Sequence, residues 1–359
     1  MAKKKGITYA GSGVDIYKEI DGIAALIGRL GFKRKGYGGY VDLKGHYTGI
    51  IDCGDIYLSL CIDGVGSKLM IADAIKKWDT VGIDCVAMNT NDMICIGAEP
   101  LAFVDYIGLE KMDVRLMDQI GIGLNEGAKQ SNVSIIGGET ASLPDMVKGF
   151  DLAGTCMGWV KKDRMVEGRK IRGGDVMIGV PSTGLHSNGY SLVRKAIEGS
   201  DYDYGSDFET VCKDLGIRCD KKYKGMRLGE VCLIPTRIYV KMVLALVKQV
   251  LPHGLAHITG GGFKNIPRLN RKVDFIVEDP MPVHPIFHVV QRLGSVPDID
   301  MYQTFNMGMG FCIIAHPKDV SKILKIVRRF ESGAKVVGRI AKGKGIARHV
   351  PLGLRYTSL

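Results

Sequence analysis

The sequence predicts an α+β protein with two domains and mixed sheets. Its 359 residues exceed the usual size of one domain, and about 150 residues per domain suggests two. Signals for strands and for amphipathic helices follow each other in both halves of the chain. Between the halves, Lys161–Gly174 (KKDRMVEGRKIRGG) is polar and contains glycine, as domain boundaries often do. We therefore predict domains at 1–163 and 164–359.

The first half is predicted to alternate strands and helices. The strands are runs of β-branched and other apolar residues that end at polar residues or glycine. Thr80 and Asp113 can cap helices, and Gly97 and Pro100 can end one. The predicted strands are Ile56–Asp63, Leu101–Leu109, Val133–Ile136 and Phe150–Val160, and the predicted helices are Ser67–Trp78, Thr80–Gly97 and Asp113–Ser131.

The second half follows the same logic. Asp201–Lys224 is polar and aromatic without any period, so we predict a loop there, and Ile258–Gly262 is predicted to be a glycine turn. The predicted strands are Asp175–Val180, Lys272–Val277, Phe311–Ala315 and Lys335–Ile340. One predicted helix starts at Tyr190, and three others span Pro235–Leu251, Pro285–Leu293 and Asp319–Phe330.

Composition excludes several classes of protein. Apolar residues make up 46% and charged residues 24% of the chain, which excludes disordered and fibrous proteins. No apolar stretch approaches the roughly 18 residues of a membrane span, and the N-terminus lacks the apolar core of a secretory signal. The nine cysteines show no CxxC pair and are expected to be reduced thiols. We predict a cytoplasmic protein without membrane contact.

The charge is unevenly distributed. The chain carries a net charge of +11, with −4 in residues 1–160 and +15 in residues 161–359. Lys318–His349 holds ten basic and two acidic residues, but these alternate with Ile, Val and Leu as on a solvated surface. An anionic small substrate explains the charge asymmetry as well as a nucleic acid does, and we expect no nucleic-acid partner.

The sharpest local motif is Asp63-Gly-Val-Gly-Ser-Lys68, which joins a predicted strand to a predicted helix. It offers a carboxylate for a metal, a helix start for an anion and an ammonium for a phosphate. An ordinary turn with a surface lysine is the competing interpretation. The motif is neither a Walker loop nor a dinucleotide fingerprint.

The helix predicted at Thr80–Gly97 carries a polar arc on an otherwise apolar surface. Asp84, Asn89, Asn91 and Asp92 lie within about 160° when spaced at 100° per residue. Four such side chains are costly on an apolar helix unless they bind a cation or ligand. A solvent-facing stripe would normally contain Lys, Arg or Glu, which this arc lacks.

Four further segments combine polar side chains with glycine or a helix start. Each has a structural alternative, namely a turn, a cap, a structural histidine or a surface arginine. In the order given below, they are typical of a contact to a metal or a ribose, of a phosphate-monoester site, of close backbone approach to a ligand, and of an anion site. The segments are Ile136–Thr140 (IGGET), Pro181–Gly189 (PSTGLHSNG), His257–Gly262 (HITGGG) and Thr236-Arg237.

Taken together, these segments resemble one enzyme family. Nine motifs occur in order between Gly11 and Gly310: GSGVDI, DGVGSK, GIDCVAMNTND, GAEPLAFVDY, GGETASLPDM, TGLHSNGYSLVRK, PTRIY, HITGGGFKNIPR and MYQTFNMGMG. The chain resembles the phosphoribosylformylglycinamidine cyclo-ligases, also called aminoimidazole ribonucleotide synthetases. The resemblance rests on many ordered motifs and covers most of the chain.

The resemblance implies an N-terminal α/β domain whose sheet pairs with that of a second subunit to form a barrel, and a C-terminal mixed-sheet domain. It implies a homodimer that uses ATP and Mg²⁺, with a monovalent cation as a further option. The substrate is a phosphoribosyl compound: formylglycinamidine ribonucleotide is cyclised to aminoimidazole ribonucleotide, with release of ADP and phosphate. ATP activates the formamide oxygen, and an amidine nitrogen closes the ring.

The resemblance, together with the patterns above, also implies site residues. Lys68 would meet the triphosphate, and either His257 or His186 would move the proton. The implied ATP-binding residues are Gly11, Gly13, Val14, Asp15, Asp84, Asn89, Asn91, Gly137, Gly138, Glu139 and Thr140. The implied metal ligands are Asp63 and Asp92, and the implied substrate-binding residues are Ser182, Ser187, Asn188, Arg237 and Thr259.

Two alternatives stay open. The first is another ATP-using enzyme of the same superfamily, such as selenophosphate synthetase, which would need a cysteine near the N-terminus, whereas the first here is Cys53. The second is a nucleotide-binding scaffold without chemistry. The segment Gly36–Asp55 differs from the GGFGGLF-like stretch of familiar bacterial members, which leaves the contacts of His46 open.

Overall fold

A computed structural model describes residues 16–358 and contains two β-sheets with helices packed against them. A six-stranded sheet is built from residues 39–161, and a seven-stranded sheet is built from residues 176–357. Both sheets combine parallel and antiparallel strand pairs, which confirms the prediction of an α+β protein with mixed sheets. Gly11, Gly13, Val14 and Asp15, which were predicted to bind ATP, lie outside the described residues.

The first sheet has one face covered by helices. Its strands are β1 (Gly39–Val41), β2 (Gly49–Cys53), β3 (Ile56–Gly64), β4 (Glu99–Leu109), β5 (Ser134–Ser142) and β6 (Phe150–Lys161), and its helices are α2 (Lys68–Ala74), α3 (Val81–Met93) and α4 (Val114–Ser131). A further helix, α1 (Ile16–Ile27), precedes the sheet in the chain and is largely exposed. The strand order is β1-β2-β3-β6-β4-β5. Alternate residues such as Phe103, Ile107 and Leu152 are buried beneath α3 and α4. Asp113 caps α4 as predicted, because its side chain accepts from the amides of Arg115 and Leu116.

The other face of the first sheet is apolar and exposed. Leu60 is 57% exposed and Ile62 is 73% exposed, although both belong to a central strand. Val104, Tyr106 and Met157 lie on the same face of the neighbouring strands and are also exposed. An apolar sheet face of this kind is typical of a protein–protein interface.

The second sheet has the order β13-β12-β9-β11-β7-β10-β8. Its strands are β7 (Val176–Pro181), β8 (Gly254–His257), β9 (Val273–Val277), β10 (Met309–Ala315), β11 (Lys335–Lys342), β12 (Ile346–His349) and β13 (Leu354–Thr357), and its helices are α5 (Tyr190–Glu198), α6 (Phe208–Asp214), α7 (Leu228–Cys232), α8 (Val240–Gln249), α9 (Pro285–Gly294), α10 (Asp298–Thr304) and α11 (Val320–Val327). Every residue of β9 and β10 is buried, so this sheet has helices or loops on both faces.

Some predicted elements were wrong. The loop predicted at Asp201–Lys224 contains α6, whose first turn is capped by Asp207 and whose apolar residues are buried. The helix predicted from Pro235 begins only at Val240, because residues 235–239 are held in another conformation by contacts with α3. Eight further elements, most of them short, were not predicted: α1, α7, α10, β1, β2, β8, β12 and β13. No helix within residues 16–358 is both long and apolar enough to cross a membrane.

Candidate active site

The polar arc on α3 is the centre of the candidate site. Asp84, Asn89 and Asn91 are completely buried, and Asp92 is 4% exposed, so the arc is not a solvent-facing stripe. The arc lies against residues from both halves of the chain, because α3 contacts β3 of the first sheet and β8 of the second. Buried carboxylates and amides require partners, and each of these side chains has at least one.

Lys68 and Asp84 form an ion pair in which both side chains are completely buried, with 2.7 Å between Nζ and Oδ2. The Lys68 ammonium also donates to the carbonyl oxygens of His186 and Ile234, both at 3.0 Å. An ammonium group has three protons, and these three acceptors account for all of them. Burial lowers the pKa of Lys68 and raises the pKa of Asp84, and the ion pair opposes both shifts. In this structure Lys68 therefore joins the two halves of the protein.

Asp84 and Asn91 also hold the segment that precedes α8. Oδ1 of Asp84 accepts from the amide and the hydroxyl of Thr236, at 2.8 and 2.6 Å. Asn91 accepts from the amide of Tyr239 at 2.9 Å and donates to the carbonyl of Arg237 at 2.7 Å. The two α3 side chains thus fix the backbone of residues 236–239.

His257, at the end of β8, lies against the same helix. Its Nδ1 is 2.8 Å from Oδ1 of Asp92, and its Nε2 is 3.4 Å from the side-chain nitrogen of Asn91. Since the amide nitrogen of Asn91 can only donate, Nε2 is the acceptor. Nδ1 therefore carries the ring proton and donates it in a hydrogen bond to Asp92. A histidine oriented by a carboxylate in this way has one defined tautomer.

Asp63, at the end of β3, faces the Asp92–His257 pair. Burial, and next the charge of Asp92, raise the pKa of Asp63 to about 6. The amide of Asn89 donates to the Asp63 carbonyl at 3.2 Å, while the Asn89 side-chain oxygen is buried without a hydrogen-bond partner in the described part of the chain. The Asp63 carboxyl is thus near enough to Asp92 to sense its charge, and the Asn89 side chain contacts the backbone of Asp63.

The carboxylate oxygens of Asp63 and Asp92 suit Mg²⁺, which binds in proteins through one or two carboxylates and keeps its other positions for water and phosphate oxygens. No group of three or more His, Cys, Asp or Glu side chains with a metal-binding arrangement occurs between residues 16 and 358. The donors of Asp63 and Asp92 fit a metal that is shared with a nucleotide rather than one enclosed by protein alone.

The loop between β7 and α5 contributes a second histidine. His186 is buried and has φ of +63°, a left-handed conformation that is uncommon for this residue. Its Nε2 accepts from the amide of Thr183, so its proton is on Nδ1, which has no partner among the described residues. Burial, followed by the charge of His257, lowers the pKa of His186 well below 6.5, so the ring is neutral. The rings of His186 and His257 are 6.4 Å apart.

The residues predicted to bind substrate lie around this loop. Ser187 donates to the carbonyl of Val65 at 2.8 Å and thereby joins the loop to the Asp63–Lys68 turn. The hydroxyl of Ser182 and the amide nitrogen of Asn188 are buried without a partner within residues 16–358. Thr259 is 7% exposed and follows His257 in the glycine turn. Arg237 is bound to Glu331 at 2.7 Å.

Four predicted nucleotide-binding residues lie apart from this cluster. Gly137, Gly138, Glu139 and Thr140 are exposed on the edge strand β5. A row of paired residues runs from Asp63 through Gly154 and Asp105 to Gly138, which is three strands away, or roughly 14 Å at the usual strand spacing. The structure thus places these four residues at the far end of the row that begins at Asp63.

The structure adds residues that the sequence analysis did not assign. Tyr47 donates to the side-chain oxygen of Asn265, and Arg268 lies over the Tyr47 ring at 3.5 Å. Asn265 and Arg268 belong to the HITGGGFKNIPR motif, so that motif was the available signal, whereas nothing in the sequence singled out Tyr47. Together with His257 and Asp92, Tyr47 and Asn265 line a small space of about 20 Å³. A space of this size accommodates about one water molecule.

Comparison with known proteins gives the following matches. Residues 45–160 match the family described as AIR synthase related protein, N-terminal domain, and residues 172–351 match the corresponding C-terminal domain. A protein of Methanosarcina barkeri named phosphoribosylformylglycinamidine cyclo-ligase is 50% identical over 339 residues, which is 94% of this chain and 96% of that protein.

Two solved structures share the fold. One, described as AaThiL complexed with AMPPCP and TMP, has a TM-score of 0.59 and 15% identity, with 95% of each chain covered. The other is hydrogenase maturation protein HypE in complex with ATP, which has a TM-score of 0.55 and 15% identity, with 83% of each chain covered. At this level of identity the likeness concerns the fold alone.

Proposed function

The chain belongs to the family of phosphoribosylformylglycinamidine cyclo-ligases, and we propose how its buried polar cluster carries out the reaction of that family. The protein is an ATP-dependent, C–N bond-forming ligase of purine biosynthesis. It cyclises formylglycinamidine ribonucleotide to aminoimidazole ribonucleotide and releases ADP and phosphate. The observation that carries this function is 50% identity to a cyclo-ligase over 94% of the chain.

The reaction needs ATP because a formamide oxygen is a poor leaving group. Transfer of the γ-phosphoryl group to that oxygen breaks the bond to ADP, and loss of the formamide N–H proton gives an iminophosphate. An amidine nitrogen of the same molecule then attacks the activated carbon, the C–O bond breaks, and phosphate leaves with the former formyl oxygen. The nitrogen loses a proton as the ring becomes aromatic. The site must therefore stabilise phosphoryl charge and accept a proton from the formamide nitrogen and another from the amidine nitrogen.

Asp63 and Asp92 are proposed to hold Mg²⁺, with the side-chain oxygen of Asn89 as a third donor. The carboxyl of Asp63 has a raised pKa because it is buried beside another carboxylate, and a cation between the two would relieve that repulsion. Mg²⁺ bound there supplies charge neutralisation for the triphosphate. Gly137 to Thr140, at the far end of the same row of strands, are proposed to contact the nucleotide.

His257 is proposed to accept the amidine proton. The Nδ1–H group of His257 donates a hydrogen bond to Asp92, so the lone pair of Nε2 is available as the base. The contact from Asn91 to Nε2 is long, 3.4 Å, so a substrate nitrogen can replace it at small cost. Asp92 would then stabilise the positively charged ring that proton transfer produces.

His186 is proposed to act as a hydrogen-bond donor. It is neutral because burial lowers its pKa, and its Nδ1 proton has no acceptor among the described residues. Ser182 and Asn188 supply further buried donors in the same loop. These groups suit the former formyl oxygen when the C–O bond breaks, since that oxygen gains negative charge as it leaves with the phosphate.

Lys68 is proposed to be a positioning residue rather than a phosphate contact. All three of its protons bind protein acceptors, and one acceptor is the carbonyl of His186. Asp84 takes part in the same way by holding Thr236, which is next to Arg237. Both side chains would thus act through the loops that they fix between the two halves of the protein.

We propose that the protein is a cytoplasmic homodimer. The face that includes Leu60, Ile62 and Tyr106 is apolar and exposed across adjacent strands, and the equivalent face of a second subunit would cover it. The nine unpaired cysteines suit the reducing conditions of the cytoplasm.

The direct test is steady-state turnover of the purified protein with ATP and Mg²⁺. We expect ADP and phosphate to appear only when formylglycinamidine ribonucleotide is present, together with an equal amount of aminoimidazole ribonucleotide. ATP binding without turnover would instead support a nucleotide-binding scaffold. Turnover with the substrate of another enzyme of the superfamily, but not with this one, would also contradict the assignment.

A further inference from the structure

A cavity of about 980 Å³ opens beside the candidate site. Its walls come from the loop between β1 and β2, from residues 167–169 and from the segment that precedes β9. Five cations and two carboxylates line it, which gives a net charge of +3 at neutral pH. The cations are Lys44, Arg169, Arg268, Arg271 and Lys272, and the carboxylates are Asp42 and Glu167.

Both carboxylates of this basic cavity already have cationic partners. Asp42 is 3.7 Å from Lys44, and Glu167 is 2.5 Å from Arg169. The cavity therefore lacks a free carboxylate pair of the kind that a metal ion requires. A metal-free anion is the ligand that this lining would attract.

Arg268 is the most enclosed cation of the basic cavity. Its guanidinium lies 3.5 Å from the centre of the Tyr47 ring, and Tyr47 is in turn fixed by its hydrogen bond to Asn265. Burial, and next the charge of Arg271, lower the pKa of Arg268 to about 10, so it stays charged at neutral pH. Its bond to Asn265 is long, 3.5 Å, and uses one of five N–H groups. A planar guanidinium fixed by stacking is suited to a phosphate.

The basic cavity adjoins the proposed proton acceptor. Gly45 and Leu269 line both the cavity and the small space that contains His257 and Asp92. An anion held by Arg268 would therefore leave the remainder of its molecule next to the His257–Asp92 pair.

We propose that this basic cavity binds the 5′-phosphate of the ribonucleotide substrate, with Arg268 as the main contact and Lys44 and Lys272 at the rim. The inference rests on the proposed function and adds the place where the phosphoribosyl group is held. A phosphate monoester needs N–H donors and no metal, which this lining offers. The triphosphate of ATP arrives with Mg²⁺ and needs free carboxylates, which Asp63 and Asp92 offer instead.

The test compares three variants of the full-length protein. Arg268→Gln removes the main contact, and Lys44→Ala/Lys272→Ala removes the rim. Lys325→Ala/Arg329→Ala is a matched control that removes two exposed charges, one in α11 and one just after it. Calorimetry measures the Kd for ribose 5-phosphate, and kinetics give KM for each substrate. We expect Arg268→Gln to raise both the Kd and KM for formylglycinamidine ribonucleotide at least about tenfold, and the rim variant about threefold or more. KM for ATP and the control should change less than about twofold.

Several results would overturn the proposal. One is an unchanged Kd and KM for the ribonucleotide in both cavity variants, and another is a rise in KM for ATP instead. If Arg268→Gln does not fold, the rim variant decides, because Lys44 and Lys272 are exposed. Absence of turnover in the wild type would contradict the proposed function, while binding of ribose 5-phosphate would still report on the cavity itself.

Discussion

Replacement of Lys68 by methionine separates a structural role of this lysine from a direct role in phosphoryl transfer. The side chain is completely buried and binds Asp84, the His186 carbonyl and the Ile234 carbonyl. Methionine preserves much of the volume but removes the charge and all three donors. The Asp84 carboxylate then stays buried with only Thr236 as a donor.

The expected cost follows from this geometry. Removing one member of a buried ion pair costs about 3–5 kcal/mol, because the other charge is left uncompensated. For a protein of this size the loss corresponds to a fall in Tm of roughly 4–7 °C. Lys68→Met/Asp84→Asn should recover part of the loss, because asparagine is neutral and keeps an oxygen for Thr236. The exposed pair Lys77–Asp79 is a matched control, and Lys77→Met should cost less than about 1 kcal/mol.

Chemical denaturation and phosphate release on the same preparations test this reasoning. We expect Lys68→Met to lose stability, with a lower kcat that the double variant partly restores, and with KM for ATP nearly unchanged. The reasoning is refuted if Lys68→Met is as stable as the wild type and loses turnover through a higher KM for ATP. That result would assign the ammonium to the triphosphate.

Three further predictions concern the proton acceptor, the metal site and the subunit interface. His257→Asn should lower kcat at least about tenfold, or about 1.4 kcal/mol, and leave the melting temperature nearly unchanged. Asp63→Asn should weaken the Mg²⁺ dependence of ATP use. It should also stabilise the fold at pH 7.5 by up to about 3 kcal/mol, because asparagine removes a carboxylate that is costly to ionise in the folded state. The folded-state pKa of Asp63 is about 6, so the free energy of unfolding falls as the pH rises from 3.8 to 6. Ile62→Asp should convert the dimer to a monomer in sedimentation experiments, since it charges the exposed apolar face.

Each of these predictions has a clear contrary result. A His257→Asn protein that melts early but turns over normally per folded molecule would make the histidine structural. Normal Mg²⁺ dependence in Asp63→Asn would move the metal elsewhere. A wild-type protein that sediments as a stable monomer at micromolar concentration would remove the reason for a dimer.

The central elements of the fold were predictable because their signals are local. The strand at Ile56–Gly64 and the helix capped by Asp113 follow from apolar runs and a capping side chain. The polar arc on α3 was visible because four amides and carboxylates interrupt an apolar helix. In contrast, β12 and β13 have four residues each; they pair with each other, and β12 joins the sheet only through β9, which lies far away along the chain.

The partners within the site were not predictable from the sequence. Lys68 was expected at the triphosphate, but the residue that binds it, Asp84, lies on another helix, and its other two acceptors belong to the second half of the chain. The basic cavity combines residues 42–45, 167–169 and 268–272, which only the tertiary structure brings together. Pairing between distant segments leaves no periodic or local pattern in the sequence.

The measurement that tests the account most directly is the fate of the formyl oxygen. Formylglycinamidine ribonucleotide labelled with ¹⁸O at the formyl group is converted with unlabelled ATP in unlabelled water, and the released phosphate is analysed by mass spectrometry. We predict one ¹⁸O atom in each phosphate, because the oxygen leaves as part of the phosphate when the ring closes. Unlabelled phosphate, with the label found in water, would contradict activation of the formyl oxygen by ATP.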